Sequence, residues 1–159
     1  MQHPRGDLPY KLEKFTARND YAFKKLFGTE ENKCIMVEFV SLVTGIAKSD
    51  FQDVQIENSE LHPKFFDDKA GRLDIRILLR DGRKIDVEMQ NISFDYYAKR
   101  SIFYWTELLT EHFKHGSDYS ELNKCIAINI LNQPFKASDK LHSIYKILEQ
   151  EAHTLLDDI

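Results

Sequence analysis

The sequence predicts an α/β domain in which helices flank a mixed four-stranded sheet, in the order helix, strand, strand, strand, helix, strand. Residues Leu73 to Gln90 alternate apolar and polar side chains with a period of two, which is typical of half-buried strands. Apolar side chains recur at helical spacing between Thr29 and Gly45, and again from Phe94 to His115. Lys124 to Leu131 is almost continuously apolar, which predicts a buried strand.

Composition favours one soluble globular domain. The chain has 159 residues, of which 42% are hydrophobic and 30% are charged. It has no apolar run of membrane-spanning length and no signal peptide, so we expect a cytoplasmic protein without a membrane partner. We interpret residues 1–14 as an N-terminal arm, open to being disordered, and 15–159 as a single domain. The net charge of −4 argues against a nonspecific nucleic-acid coat but not against a nuclease that uses a metal ion.

The elements around the central stretch follow from local patterns. A short helix capped by Asn19 or Asp20 is predicted to run through Phe27, and a second helix between Thr29 and Gly45. Asp53 to Leu61 alternates weakly and is predicted to be the first strand. Cys34 and Cys125 form no pair motif, which favours buried free thiols in a reducing compartment.

The helix that follows the central stretch has one broad stripe, which we predict faces the core and ends before Gly116. Its members are Tyr97, Ser101, Ile102, Trp105, Leu108, Leu109 and His112. Two interpretations of Lys99 and Arg100 stay open, an exposed helix face and a cation near a functional site. The tail from Ser138 is also open, because its apolar spacing fits a helix.

The turn Asp81-Gly82 decides the register of the central hairpin. A two-residue loop would pair Asp74 with Met89 and set an apolar face against a polar one. A three-residue loop, Arg80–Gly82 with a left-handed glycine, keeps the apolar residues on one face. Asp74 then lies opposite Glu88, and we predict this register.

Two carboxylates at paired positions repel each other. One explanation is a solvated sheet face on which Arg72 and Arg76 neutralise them. The other is a divalent-metal site, because hard cations take oxygen ligands from converging carboxylates. Gln90 adds an amide to the same face. From repulsion alone, removing Asp74 or Glu88 is expected to maintain or raise the melting temperature in metal-free buffer.

An ordered pattern of short strings runs along the chain. It contains an Asp on one strand, a hairpin, and Glu88-Met89-Gln90 on the next strand, together with other short strings. These are Asn19–Gly28, Glu31–Lys33, Asp67–Lys69, Leu73–Ile75, Val87–Gln90 and Lys99–Trp105. Together they resemble the PD-(D/E)xK nucleases, in the branch described as PD-(D/E)xK family transposases or recombination-promoting nucleases. The resemblance implies a restriction-endonuclease-like core and a metal-dependent DNA endonuclease associated with recombination, mobile elements or defence.

The resemblance also implies roles for individual residues, with Mg²⁺ as the cofactor, Mn²⁺ as a substitute, DNA as the partner and a homodimer as an open expectation. The expected metal ligands are Asp74, Glu88 and the backbone carbonyl of Met89. The expected catalytic residues are Asp74, Glu88, Gln90 and Asp20. The expected nucleic-acid contacts are Lys24, Lys99, Arg100 and Tyr104.

The chain departs from the pattern at two places. Gln90 stands where the superfamily motif has Lys, and the chain stops at Ile159, where the resemblance implies a longer C-terminal part. For the tail, the resemblance implies a strand near Ser143 to Leu148 and another after Asp158, as the alternative to a helix. An alternative function therefore stays open, namely a catalytically weak remnant that binds nucleic acid or a partner protein.

Overall fold

The computed structural model describes residues 20–51, 55–58, 74–90, 96–133, 135 and 140–158. Regular structure in these ranges comprises α-helices, short 3₁₀ helices and strands. The α-helices and strands are α1 (Asp20–Phe27), α2 (Lys33–Thr44), β1 (Gln55–Asn58), β2 (Asp74–Leu78), β3 (Lys84–Gln90), α3 (Tyr97–Thr110) and β4 (Cys125–Leu131). The 3₁₀ helices are Glu30–Asn32, Lys48–Phe51 and Tyr119–Glu121. The predicted α/β class, with a mixed sheet and helices, is confirmed.

The strands form one sheet in the order β1-β2-β3-β4. The pairs β1·β2 and β2·β3 are antiparallel, whereas β3·β4 is parallel. A parallel neighbour requires a crossover connection, and α3 lies within that connection. This crossover places α3 in contact with β3 and β4.

The register of the β2–β3 hairpin is the predicted one. Asp74 pairs with Glu88, and Ile77 pairs with Ile85. The loop is closed by the Leu79 N–H, which donates to the Arg83 carbonyl at 2.9 Å. Gly82 has φ +87°, and a Cβ there would come within 2.8 Å of the Asn123 side chain. The left-handed backbone therefore favours glycine at this position, and any added side chain would also have to displace Asn123.

Apolar side chains from the helices and the sheet form the core on one face of the sheet. The buried members are Phe23, Met36, Val40, Phe51, Ile75, Ile77, Leu79, Ile85, Val87, Met89 and Ile128. α1 and α2 supply the first three of these, and α2 ends at Gly45, which is left-handed with φ +75°. Among the described residues, no helix is both long enough and apolar enough to span a membrane.

The predicted stripe on α3 is wrong in part. Ile102 is 63% exposed and the side chain of His112 is 84% exposed, whereas Arg100 is 8% exposed. The helix is rotated so that polar groups face the sheet: the Trp105 indole N–H donates to the Cys125 carbonyl at 2.9 Å. The helix also ends at Thr110, well before Gly116. The prediction that both thiols are buried is wrong for one of them, because Cys34 is exposed and Cys125 is buried.

The helical interpretation of the tail is wrong over residues 140–158. This segment is largely irregular and exposed, with an isolated antiparallel bridge between Leu148 and Leu155, so the strand implied near Ser143 to Leu148 is not formed either. The Glu149 carboxylate accepts the N–H groups of Glu151 and Ala152 across the intervening turn, and these bonds hold its pKa below the usual range. The turn is thus stabilised by local side-chain hydrogen bonds that compete with helix formation.

Candidate active site

Glu88 lies in the middle of β3, on the face of the sheet opposite the apolar core. Its partner on β2 is Asp74, and its partner on β4 is Asn129. Glu88 is only 6% exposed, so its carboxylate is largely removed from bulk water. The structure describes the backbone of Asp74 but not its side chain. The register therefore sets two carboxylate-bearing positions side by side, and the solvated-face explanation is wrong for Glu88.

Arg100 of α3 supplies the counter-charge to Glu88. Its Nη2 atom lies 3.3 Å from Glu88 Oε1, and both side chains are at most 8% exposed. The guanidinium also lies over the Tyr104 ring, with 5.3 Å between Cζ and the ring centroid. The interpretation of Arg100 as an exposed helix residue is therefore wrong, whereas its neighbour Lys99 is exposed.

Neighbouring polar contacts hold α3 over this face. Asn129 of β4 donates from Nδ2 to Ser101 Oγ at 3.1 Å. At the other end of the helix, Glu111 forms an ion pair with Arg76. Lys84 Nζ donates to the Leu108 carbonyl at 3.2 Å. Arg76 thus pairs with Glu111, just beyond the end of α3, and not with Glu88. This is contrary to the solvated-face explanation, in which Arg76 would neutralise Glu88.

Gln90 and Met89 end β3 on opposite faces. Gln90 is 6% exposed and shares the face of Glu88, in register with Leu131. The Met89 side chain belongs to the apolar core and is 8% exposed. Only the backbone carbonyl of Met89 is therefore left as a ligand for a metal ion.

The other predicted site residues lie on α1 and α3. Asp20 and Lys24 belong to α1, but their side chains lie outside the described residues. Tyr104 is half-buried beneath Arg100, and its ring meets Phe103 edge to face at 5.5 Å. The structure therefore brings Tyr104, Arg100 and Glu88 together.

Tyr97 is a further polar residue of this face that the sequence analysis placed only in the core stripe. It is 7% exposed, and its hydroxyl has no hydrogen-bond partner among the described residues. Burial raises the pKa of Tyr97 above its ordinary value, and the negative charge of Glu88 raises it further. The spacing of Tyr97, Arg100 and Tyr104 at i, i+3 and i+7 places all three on one side of a helix, and could have indicated a polar face.

The donors on this face suit a hard divalent cation. The register supplies two carboxylate positions, and Mg²⁺ is commonly held by one or two carboxylates while keeping several waters. Within the described ranges, no group of three or more His, Cys, Asp or Glu residues could hold a metal ion. A softer metal that takes nitrogen or sulfur ligands is not favoured by this set.

Comparison with protein families assigns the chain. A model described as PD-(D/E)XK nuclease family transposase matches residues 17–159. The chain belongs to this family. Searches of curated proteins and of solved structures each give no significant match. The resemblance inferred from Asp74 and from Glu88-Met89-Gln90 is thereby confirmed at the level of the family.

Membership in the PD-(D/E)XK nuclease family transposases gives the hairpin a functional context. A nuclease-related function is indicated for the chain, and nucleases of this family generally use divalent metal ions. The residues that the resemblance predicts for the site, Asp74, Glu88 and Gln90, occupy polar-face positions of β2 and β3, where Glu88 meets Arg100. The predicted site therefore coincides with the part of the sheet that carries a buried ion pair.

Proposed function

We propose that this chain is a metal-dependent DNA endonuclease with a restriction-endonuclease-like core, acting in recombination, mobile-element movement or defence. The observation that carries the proposal is the pairing of Asp74 with Glu88 on a buried polar face. Mg²⁺ is the proposed cofactor, and Mn²⁺ is expected to substitute for it. Asp74, Glu88 and the Met89 carbonyl would hold the ion.

When bound, the metal ion would lower the pKa of a coordinated water and polarise the phosphate. The protein's own groups would do the rest. Arg100 offsets negative charge that the superfamily Lys would otherwise offset, since Gln90 is uncharged. Gln90 orients water or a phosphate oxygen through its amide. Asp20 is proposed as a further acidic residue of the site.

DNA is the proposed substrate. Lys99 is exposed beside the buried Arg100, and with Lys24 it is proposed to contact phosphates. Tyr104 is proposed to contact the nucleic acid near the reacting phosphate, because its ring lies beneath Arg100. A cytoplasmic location and a homodimer complete the proposal.

Nicking of supercoiled plasmid DNA in Mg²⁺ or Mn²⁺ tests this function. Asp74→Ala and Glu88→Ala are each expected to abolish cleavage, because each removes a proposed metal ligand. The exposed carboxylate of Glu121 provides a matched control, and Glu121→Ala should cleave at the wild-type rate. Undiminished cleavage by either ligand variant would exclude that residue as a ligand, and a wild type that never cleaves would contradict the enzyme proposal.

A second candidate function is favoured by the Glu88–Arg100 ion pair itself. Because Arg100 already balances the charge of Glu88, that carboxylate does not need a metal ion as its counter-charge, as expected of a catalytically weak remnant that only binds nucleic acid or a protein. Gln90 variants separate the two candidates. In an enzyme, Gln90→Ala should lose at most ~10²–10³ in rate, by analogy with loss of one oriented donor. Gln90→Lys should retain activity, and Gln133→Ala, at an exposed position, serves as the control.

A further inference from the structure

The Tyr97 hydroxyl is a buried polar group on α3. It lies at the first residue of α3, on the helix side that faces the sheet, and the residue is 7% exposed. The hydroxyl has no hydrogen-bond partner among the described residues. Leaving a buried hydroxyl unpaired destabilises the fold, and phenylalanine at this position would avoid that cost.

The surroundings of Tyr97 hold its ring in place. The ring meets Phe135 edge to face, with 5.6 Å between the centroids. One helical turn further along, Arg100 binds Glu88. Both of these charges act on the phenol: Glu88 raises its pKa and Arg100 lowers it, while burial contributes the largest increase. The phenol therefore stays protonated near neutral pH and can only gain by donating to an acceptor.

We propose that the Tyr97 hydroxyl is a substrate-binding donor that hydrogen-bonds a non-bridging phosphate oxygen of DNA at the Glu88–Arg100 site. This inference rests on the proposed nuclease function. Tyr97 lies one helical turn from Arg100, and the charges of Glu88 and Arg100 both act on its phenol. A phosphate drawn to a cation held by Glu88, or to the Arg100 guanidinium, would therefore approach this hydroxyl, and a phosphate oxygen is a strong charged acceptor. The unpaired hydroxyl of the free protein is then satisfied in the complex.

Tyr97→Phe tests the proposal because it removes only the hydroxyl and keeps the ring against Phe135. Binding of a short fluorescent DNA duplex is measured by anisotropy in Ca²⁺, which keeps a divalent ion present while limiting cleavage. Affinity is expected to fall roughly ten- to a hundred-fold, the range for a lost hydrogen bond to a charged group. Without DNA, the melting temperature should stay the same or rise, since an unpaired buried group is removed.

The matched control is Tyr119→Phe, which changes the same group at a residue that is 79% exposed, and its DNA affinity should equal that of the wild type. If Tyr97→Phe binds as tightly as the wild type, the Tyr97 inference is overturned while the nuclease proposal stands. A lowered melting temperature with unchanged affinity also overturns it, and assigns the hydroxyl a structural role. If the wild type neither binds nor cleaves DNA, both the nuclease proposal and this inference fail.

Discussion

The two faces of the β2–β3 hairpin have opposite chemistry, although alternate residues of the same strands build both. On one face, Ile75 and Val87 are 0% exposed. On the other, Glu88 and Gln90 are each 6% exposed, and Arg100 of α3 contacts Glu88. Burial is thus similar, but its energetic consequence is not. Burying the apolar face stabilises the fold, whereas burying a charge costs free energy that a good ion pair only offsets.

The difference between the two faces supports the proposal that the functional site lies on the polar face of the hairpin. A hydrophobic pair in place of Glu88 and Arg100 would often be as stable or more stable. The charges are therefore better explained by what they bind than by the stability they give. Substitutions on the two faces should therefore differ in their effects on stability and on activity.

The largest effect on stability is expected from breaking the buried ion pair. Arg100→Ala removes a buried positive charge that contacts Glu88, which should lower the free energy of unfolding by about 3–5 kcal/mol. Glu88→Ala should be destabilising for the same reason, so the Arg100 contact reverses the expectation from carboxylate repulsion at this position. Urea unfolding of both single variants and the double variant gives the coupling energy.

The exposed neighbour Lys99 provides the control for this double-mutant cycle. The free energy of unfolding of Lys99→Ala should stay within about 0.5 kcal/mol of that of the wild type. A coupling energy near zero would show that the two buried charges do not stabilise each other. A divalent ion should restore part of the stability of Arg100→Ala, because it replaces the missing positive charge beside Glu88.

The apolar face should respond through packing alone. Ile85→Ala removes a side chain that is 0% exposed and should lower the free energy of unfolding by about 2–5 kcal/mol. Leu42→Ala, at a residue that is 85% exposed, should change it by less than about 0.5 kcal/mol. Cleavage by folded Ile85→Ala should match the wild type at low temperature. A selective loss of activity in this variant would mean that the two faces are not separable.

The sequence could predict the hairpin because its determinants are local. Alternation in β2 and β3, together with the turn at Asp81-Gly82, fixes which residues pair, and the structure has that register. The packing of α3 over the polar face could not be predicted in the same way. It depends on the rotation of α3, and the stripe counted Ile102 as inward and left out Arg100. Contacts distant in sequence, Arg100 to Glu88 and Trp105 to the Cys125 carbonyl, outweigh apolar spacing there.

In the tail, an apolar pattern with helical spacing does not lead to a helix. Leu141, Ile144 and Leu148 recur at helical spacing, yet residues 140–158 form no helix. Helical spacing stabilises a helix only when a neighbouring surface buries the apolar stripe. Here Leu141 is fully exposed, and the Glu149 carboxylate supports a turn instead.

The reactivity of the two cysteine thiols gives an independent and smaller measure of how tightly α3 covers the polar face of the sheet. Cys34 is exposed, whereas Cys125 is 4% exposed and burial raises the pKa of its thiol. Cys125 should therefore react with a thiol reagent at least ~10²-fold more slowly, through local opening. Mass spectrometry after timed labelling measures both rates, with Cys34→Ser to assign the fast one. Equal labelling rates for the two thiols in the native protein would contradict a polar face that is closed to solvent. Arg100→Ala should increase the labelling rate of Cys125 but not that of Cys34.

The smallest expected effect concerns the solvent side of α3. Lys99 is exposed beside the buried Arg100, so it can meet a phosphate without breaking any buried contact. Lys99→Ala should weaken DNA binding uniformly across sequences and reduce the slope of log affinity against log salt by about 1, because one phosphate contact is lost. Lys114→Ala, which removes an exposed charge beyond the end of the helix, is the matched control and should leave the slope unchanged. Anisotropy titrations of two unrelated duplexes over a range of salt concentrations measure both quantities. A slope unchanged by Lys99→Ala would place the path of the DNA away from this end of α3, whereas a loss confined to one duplex would assign Lys99 to base recognition instead of phosphate binding.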